Sequence, residues 1–330
     1  SWGLSALTAP ATAFAQHQRA IGHRMELTLG ASLAAVGGDL HLGPRAQLRW
    51  QPSGRLALSG SYARLHQFSQ SLRNEESVVG GVFPADLFIG AGAPGVPTAR
   101  SDQGVLAADY RPWAGVRLGL QAYERRLAGL LLVAPRDGEP FSTGPFAVGS
   151  GVARGVSVDA AVSTARLGLV ASYALQRVRF SSGNSSYVPD YGATHLLDGG
   201  VIVSPTRSSS IRLSATAAFG RRTTPISGQL EWEACLLGQG CEFGGSPHYD
   251  GERLGGTRLP PYLRVDLGFR QTWHLKVGGR DAMLALFGTV SNILNRRNVL
   301  TYARNPTTGE RSAIEGLPLA PLVAGLEWRF

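Results

Sequence analysis

The chain has 330 residues, of which 43 are Gly and 19 Pro, with 43% hydrophobic and 17% charged residues and a formal charge of +9 at pH 7. The apolar content excludes a disordered chain, the Gly and Pro load disfavours a helical one, and the longest purely apolar run, Leu130 to Ala134, is far too short for a helix to cross a bilayer. The basic side is almost wholly Arg, with Lys276 the only lysine. These arginines are spread along the chain rather than gathered into a stripe with interleaved aromatics, which argues against a nucleic-acid partner and leaves anionic lipid head groups as their simplest contact.

In chain order, the recurring signal is alternation. Met25, Leu27, Leu29, Ala31 and Leu33 share one face of a strand, and Glu26, Thr28, Gly30 and Ser32 the other. Leu56, Leu58 and Tyr62 oppose Ser59 and Ser61. Val116, Leu118 and Leu120 oppose Arg117, Gly119 and Gln121, and Leu167, Leu169, Ala171, Tyr173 and Leu175 oppose Gly168, Ser172 and Gln176. Near the end, Leu263, Val265, Leu267 and Phe269 oppose Arg264, Asp266, Gly268 and Arg270. One such strand suits a water-soluble sandwich as well as a membrane barrel. The connections favour the barrel. Short turns at 51–54, 111–114, 164–166 and 204–207 alternate with long segments at about 69–100, 133–148, 181–194, 220–257 and 303–316, the asymmetry expected of two different barrel rims. Trp50, Tyr62, Tyr110, Trp113, Tyr173, Phe219 and Trp273 near strand ends are candidates for interfacial girdles.

These readings predict an all-β fold, a transmembrane antiparallel up-and-down β-barrel, with a single domain over 1–330. Roughly 13 strands are expected, an odd number that implies part of a larger closed barrel. Ser1 follows no Met and no apolar signal core, so an N-terminal part is expected to precede it.

Cys235 and Cys241 are separated by five residues in a Gly-rich segment, with no His or third Cys at ligand spacing, which predicts a disulfide formed in an oxidising compartment. His248, Tyr249 and Asp250 follow in the same long segment as candidate contacts for an extracellular ligand such as a metal chelate, against the plainer reading of a solvated loop. Gly90-Ala91-Gly92-Ala93-Pro94-Gly95 has dinucleotide-loop spacing, but Pro94 and Pro97 oppose the helix that such a loop must open. The seven His residues stand in separate elements without a local hydrolase motif, so no enzyme, metal or cofactor is expected.

The last seventy residues carry a resemblance. Arg258-Leu259-Pro260-Pro261-Tyr262-Leu263-Arg264-Val265-Asp266-Leu267 resembles the entry into the third-last strand of TonB-dependent receptors. Phe287-Gly288-Thr289-Val290-Ser291-Asn292-Ile293-Leu294-Asn295-Arg296-Arg297-Asn298 is similar to that family's penultimate strand and loop. The chain then stops at Leu326-Glu327-Trp328-Arg329-Phe330, with Leu326, Trp328 and Phe330 on one face, resembling the C-terminal signal read by the barrel assembly machinery. Residues 44–52, 58–63 and 149–156 look like mid-barrel elements of the same family, with Ser157 where the family prefers Glu. The resemblance implies a bacterial outer-membrane receptor whose complete barrel has 22 strands. It also implies uptake of a scarce small-molecule nutrient (a metal chelate, cobalamin or an oligosaccharide), energised by the TonB complex through a plug and TonB box not visible in this chain. Outer-membrane lipid is the expected surrounding. A passive porin or an outer-membrane barrel enzyme is the alternative. On this reading Arg264, Asp266 and Arg270 point inward, forming salt-bridge ladders in the lumen or facing the plug.

Overall fold

The computed structural model describes residues 10–71, 88–91, 95–133, 146–183, 185–189, 192–224, 226–227, 248–249, 254–304, 310–316 and 322–329, and among these there is no helix. Thirteen strands form the path of one antiparallel wall, each hydrogen-bonded to the next of them in chain order, and a short fourteenth, Ser185–Tyr187, pairs beside residues 180–182. They are β1 (Ala11–Ile21), β2 (Met25–Val36), β3 (Asp39–Ser53), β4 (Leu56–Gln67), β5 (Ala99–Tyr110), β6 (Val116–Val133), β7 (Phe146–Ser163), β8 (Leu167–Ser182), β9 (His195–Val203), β10 (Ser209–Phe219), β11 (Tyr262–Val277), β12 (Arg280–Val290) and β13 (Leu322–Arg329). The sheet is not closed on itself, and β1 and β13 are its two edges.

The turn chemistry sets the meander. At Gly278-Gly279, φ values of 60° and 80° let a two-residue turn join β11 to β12 directly, closing on the pair Val277↔Arg280. Gly37-Gly38, with φ of 60° and 92°, does the same between β2 and β3, closing on Val36↔Asp39. The second of these corrects the sequence-based expectation. Connections at one rim are all short (22–24, 54–55, 111–115, 164–166, 204–208 and 278–279), but those at the other are long (68–98, 134–145, 183–194, 220–261 and 291–321) except at Gly37-Gly38. Two glycines that can both take positive φ allow a tight turn there.

Register carries the alternation from strand to strand. Across the wall, Leu27↔Leu48, Leu58↔Ala108, Ala108↔Leu120, Leu120↔Val158, Val158↔Tyr173, Tyr173↔Leu197 and Val201↔Leu213 place apolar side chains on one face. Leu213↔Leu267, Leu267↔Val290 and Leu286↔Leu326 continue it to the last strand. A one-residue slip anywhere would move half of this band to the polar side. Leu29, Leu106, Leu120, Leu213, Leu267 and Leu326 are all exposed, so among the described residues this face has no partner layer. That excludes the sandwich and fits the lipid-facing band of a barrel.

The aromatics mark the band's borders. Trp50, Tyr110, Trp273 and Trp328 lie on the apolar face near the short-turn rim, with Trp113 in the turn 111–115 beside them. Tyr62 and Phe219 lie on the same face toward the long-loop rim.

Close approaches explain several glycines that strand propensity alone would disfavour. A Cβ at Gly288 would fall 2.5 Å from the Phe269 ring lying across it from β11, and one at Gly325 would fall 2.5 Å from the Phe287 ring. In each pair the ring covers the glycine of the next strand, which fills the pleat and fixes register.

Candidate functional site: the inner wall and the long-loop rim

The face opposite the apolar band carries most of the wall's charged and hydrogen-bonding side chains, with exposed apolar residues such as Phe14, Val170, Ile202 and Val323 among them. Arg264 Nε donates to Asp266 Oδ1 at 2.8 Å, Arg270 Nη2 to Glu327 Oε2 at 2.6 Å, and Arg117 pairs with Asp109 at 2.6 Å. Thr216 Oγ1 donates to Asp198 Oδ1 at 2.8 Å, and Gln18 Nε2 to Glu26 Oε1 at 2.6 Å. The inward ion pairs read from the sequence at Arg264, Asp266 and Arg270 are thus present, Arg270 taking Glu327 of the last strand as its partner. Each half-exposed pair contributes little stability. Their consequence is a wall of fixed donors and acceptors.

The inner curve holds a concavity of about 790 Å³, lined among others by Arg117, Asp159, Ser172, Asp198, Arg212 and Thr216. Five of its side chains come from one cross-strand row, Asp159↔Ser172↔Asp198↔Thr216, and from the neighbouring Arg212 on β10. This row offers hydrogen bonds to a body seated inside the curve, while Val170, Ile202 and the small residues around it make most of the concavity's surface apolar. His41 meets the hydroxyl of Thr98 (3.3 Å), His195 on the outer face meets that of Tyr173 (2.8 Å), and no cluster of three metal-ligating side chains occurs among the described residues.

The long-loop rim is fastened to the wall by buried polar contacts. Gln70 is only 7% exposed; its Nε2 donates to the carbonyls of Pro97 (3.1 Å) and Gly129 (2.9 Å), and its Oε1 accepts from Leu131 N (2.9 Å). It ties the foot of the 68–98 connection to a bulge in β6, where Gly129 has φ 70° and a Cβ would fall 2.7 Å from Thr98 O. On the other side, the buried hydroxyls of Thr223 and Thr301 meet at 2.8 Å, Gly255 N donates to Thr224 Oγ1 at 3.0 Å, and Arg221 reaches Val299 O at 3.0 Å. The Thr223–Thr301 and Arg221–Val299 contacts join connection 220–261 to 291–321, and the Gly255–Thr224 bond braces 220–261 internally. Above them a small sheet orders His248–Tyr249, Ile226–Ser227, Val299–Arg304 and Arg311–Glu315 side by side.

At the start of the last connection, Asn292 and Asn295 take φ of 52° and 46°. Asn292 N donates to Asp266 Oδ1 (2.8 Å), and its side chain bonds both Arg296 N (3.3 Å) and Arg296 O (3.1 Å). Asn298 bonds the backbone of Leu263 in both directions at 3.0 Å. The two motifs at 258–267 and 287–298, noted separately in the sequence, are therefore one hydrogen-bonded unit.

Of the residues singled out from sequence, Leu326 and Trp328 stand on the apolar face of β13 opposite Leu286 and Leu284. His248 and Tyr249 lie in the small rim sheet, paired to Ser227 and Ile226. Cys235, Cys241, Asp250 and Phe330 lie outside the described residues. Gln70, Thr223 and Thr224 were not anticipated, because a single polar residue beside a long loop carries no periodic signal.

No protein-family model and no curated protein matches the sequence. Solved structures do match the fold. The ferric-catecholate import receptor Fiu from E. coli K12 aligns with a TM-score of 0.60 at 11% identity, over 98% of this chain and 45% of that one. The siderophore receptor PirA from Pseudomonas aeruginosa gives 0.58 at 13%, over 98% and 49%. P. aeruginosa FpvA bound to heterologous pyoverdines gives 0.60 at 10%, over 100% and 40%. The chain thus spans less than half the length of each of these receptors. Its open 13-stranded wall, apolar on one side and richer in polar groups on the other, shares the fold of part of these siderophore receptors.

Proposed function

We propose that the chain is the barrel wall of a bacterial outer-membrane receptor that takes up a ferric siderophore. One observation carries the reading: a continuous apolar outer face backs an inner wall lined by ion pairs and hydrogen-bonding rows, with long, mutually fastened connections at one rim, over an alignment covering 98% of the chain with a ferric-catecholate import receptor. A passive pore needs a water-filled lumen. Here the inner curve presents fixed hydrogen-bonding rows to a body seated within it, the role of a plug whose movement is driven through TonB. On this reading residues 1–330 act as one barrel domain, Cys235 and Cys241 close a loop at the extracellular rim, and His248, Tyr249 and Asp250 stand where a ligand arrives. Leu326, Trp328 and Phe330 form the strand face handled by the assembly machinery.

The test is uptake of iron-55 by a strain lacking the gene, complemented with the complete gene product and supplied with a panel of ferric catecholates and hydroxamates. Uptake of at least one chelate that is restored by the gene and abolished by loss of TonB supports the proposal. Restored permeability to small solutes independent of TonB, with no chelate transported, refutes it in favour of a pore.

A further inference from the structure

On the outer face, the apolar band gives way to charge toward the long-loop rim of β4 to β8. Above Leu120 on β6 the outward positions become Glu124 and Arg126, above Val156 on β7 comes Arg154, and above Leu175 on β8 come Arg177 and Arg179. Scattered in sequence, these arginines are gathered by register. One cross-strand row reads Glu124↔Arg154↔Arg177, and the next reads Arg126↔Val152↔Arg179.

Arg154 and Arg177 are directly opposite one another, an arrangement that repels and costs stability unless an anion is shared. The available carboxylate does not relieve it, since Glu124 is held by Arg126 at 2.7 Å. Asp102, on the neighbouring strand, is engaged by Arg64 at 2.7 Å, Arg100 at 3.2 Å and the Tyr62 hydroxyl at 2.7 Å. Arg154, Arg177 and Arg179 are exposed and have no anionic partner among the described residues.

Their height matters as much as their charge. Arg177 follows Leu167, the first outward residue of β8, by ten residues. That is ~33 Å along the strand and, at a tilt of ~40°, ~25 Å along the membrane normal, the height of the apolar band of such barrels. The guanidinium groups therefore stand at the head-group level of the leaflet on the long-loop side. Arginine's planar fork of donors matches phosphate oxygens in pairs.

We propose that Arg154, Arg177 and Arg179, together with Arg126, form a binding site on the outside of the barrel for the phosphate groups of an acylated, phosphorylated lipid of the outer leaflet. Its acyl chains lie along Val156, Val158, Tyr173 and Leu175 below. The site rests on the barrel fold and its outward face, and is independent of which ligand the lumen carries.

The test uses the complete gene product in detergent, with heat-modifiable migration as the check of folding, and native mass spectrometry to read bound lipid. The probes are bisphosphorylated lipid A, the same lipid without phosphates, and inorganic phosphate. The protein is expected to bind bisphosphorylated lipid A at least tenfold more tightly than the dephosphorylated form. The variant Arg154→Gln/Arg177→Gln/Arg179→Gln is expected to lose that preference, while Arg45→Gln/Arg49→Gln/Arg125→Gln, an equal charge change on the inner face, keeps it. Equal binding of both lipids by the unaltered protein, retention of the preference in the outer variant, or inorganic phosphate binding as tightly as the lipid would each overturn the proposal. Iron-chelate uptake in the outer variant, measured alongside, is expected to persist, so failure of the lipid site and failure of the receptor reading give different results.

Discussion

Leu213 and Ser214 are adjacent in β10 and point to opposite sides of the wall, so they test its orientation with a single residue's displacement. Leu213 is 43% exposed between Val201 and Leu267, and Ser214 pairs with Gly200 and Asp266 on the polar side. The strand begins at Ser209, four residues before Leu213 at the short-turn end. That places Leu213 ~13 Å along the strand and ~10 Å into the apolar band, near the midplane of a band ~25 Å tall. Leu213→Arg should cost about 2–4 kcal/mol, the penalty for Arg on the lipid face at that depth. Ser214→Arg, next to Asp266 in a wet lumen, should cost less than about 1 kcal/mol. Reversible denaturant unfolding in phospholipid vesicles, followed by fluorescence of the six Trp residues, gives both values. A cost for Ser214→Arg equal to or greater than that for Leu213→Arg would refute the assignment of faces.

Gln70→Ala removes three buried hydrogen bonds and should loosen the loop foot by about 1–3 kcal/mol, read as faster amide exchange at Leu131, with β10 as the unaffected reference. Asn292→Ala loses its bonds to Arg296 and leaves a non-Gly residue at positive φ, and a loss of about 1–2 kcal/mol in the same unfolding assay is expected. Gly288→Val drives two methyls into the Phe269 ring and should cost about 1–3 kcal/mol, with Phe269→Ala partly restoring stability in the double variant. Non-reduced peptide mapping should find Cys235 joined to Cys241; two free thiols would contradict the disulfide.

Much of the wall was legible in sequence because a two-residue period survives any local detail. Met25 to Leu33, Leu167 to Leu175 and Leu263 to Phe269 read correctly, since an apolar face on one side of the wall and a more polar one on the other impose the same alternation on every strand. The band's upper border was less legible. Beyond Leu120, Val156 and Leu175 the outward positions turn charged, and in a single strand this looks like the end of a pattern. Only the register that sets Arg154 beside Arg177 shows it to be a shared surface. The short turn at Gly37-Gly38 went unread among otherwise long connections. The two small strands Val299–Arg304 and Arg311–Glu315, inside the last connection, pair with each other, and the parallel partner that Val299–Arg304 also takes, Ile226–Ser227, comes from a distant connection that their own composition does not announce. Ring-over-glycine pairs such as Phe269 and Gly288 are likewise properties of two strands together, invisible in either one.

The central claim is that one face of this wall meets lipid and the other lines a polar lumen, up to a border set by arginine. Spin labels placed singly at each position from Leu167 to Arg179, in a Cys235→Ser/Cys241→Ser background reconstituted in bilayers, test it most directly through collision with oxygen, which concentrates in lipid, and with a water-soluble nickel chelate. Oxygen accessibility should peak at Leu167, Leu169, Ala171, Tyr173 and Leu175 and fall at the residues between them, with nickel accessibility rising on the outward face at Arg177 and Arg179. A profile without the two-residue period, or one peaking at Gly168, Val170, Ser172 and Ala174, would contradict the account.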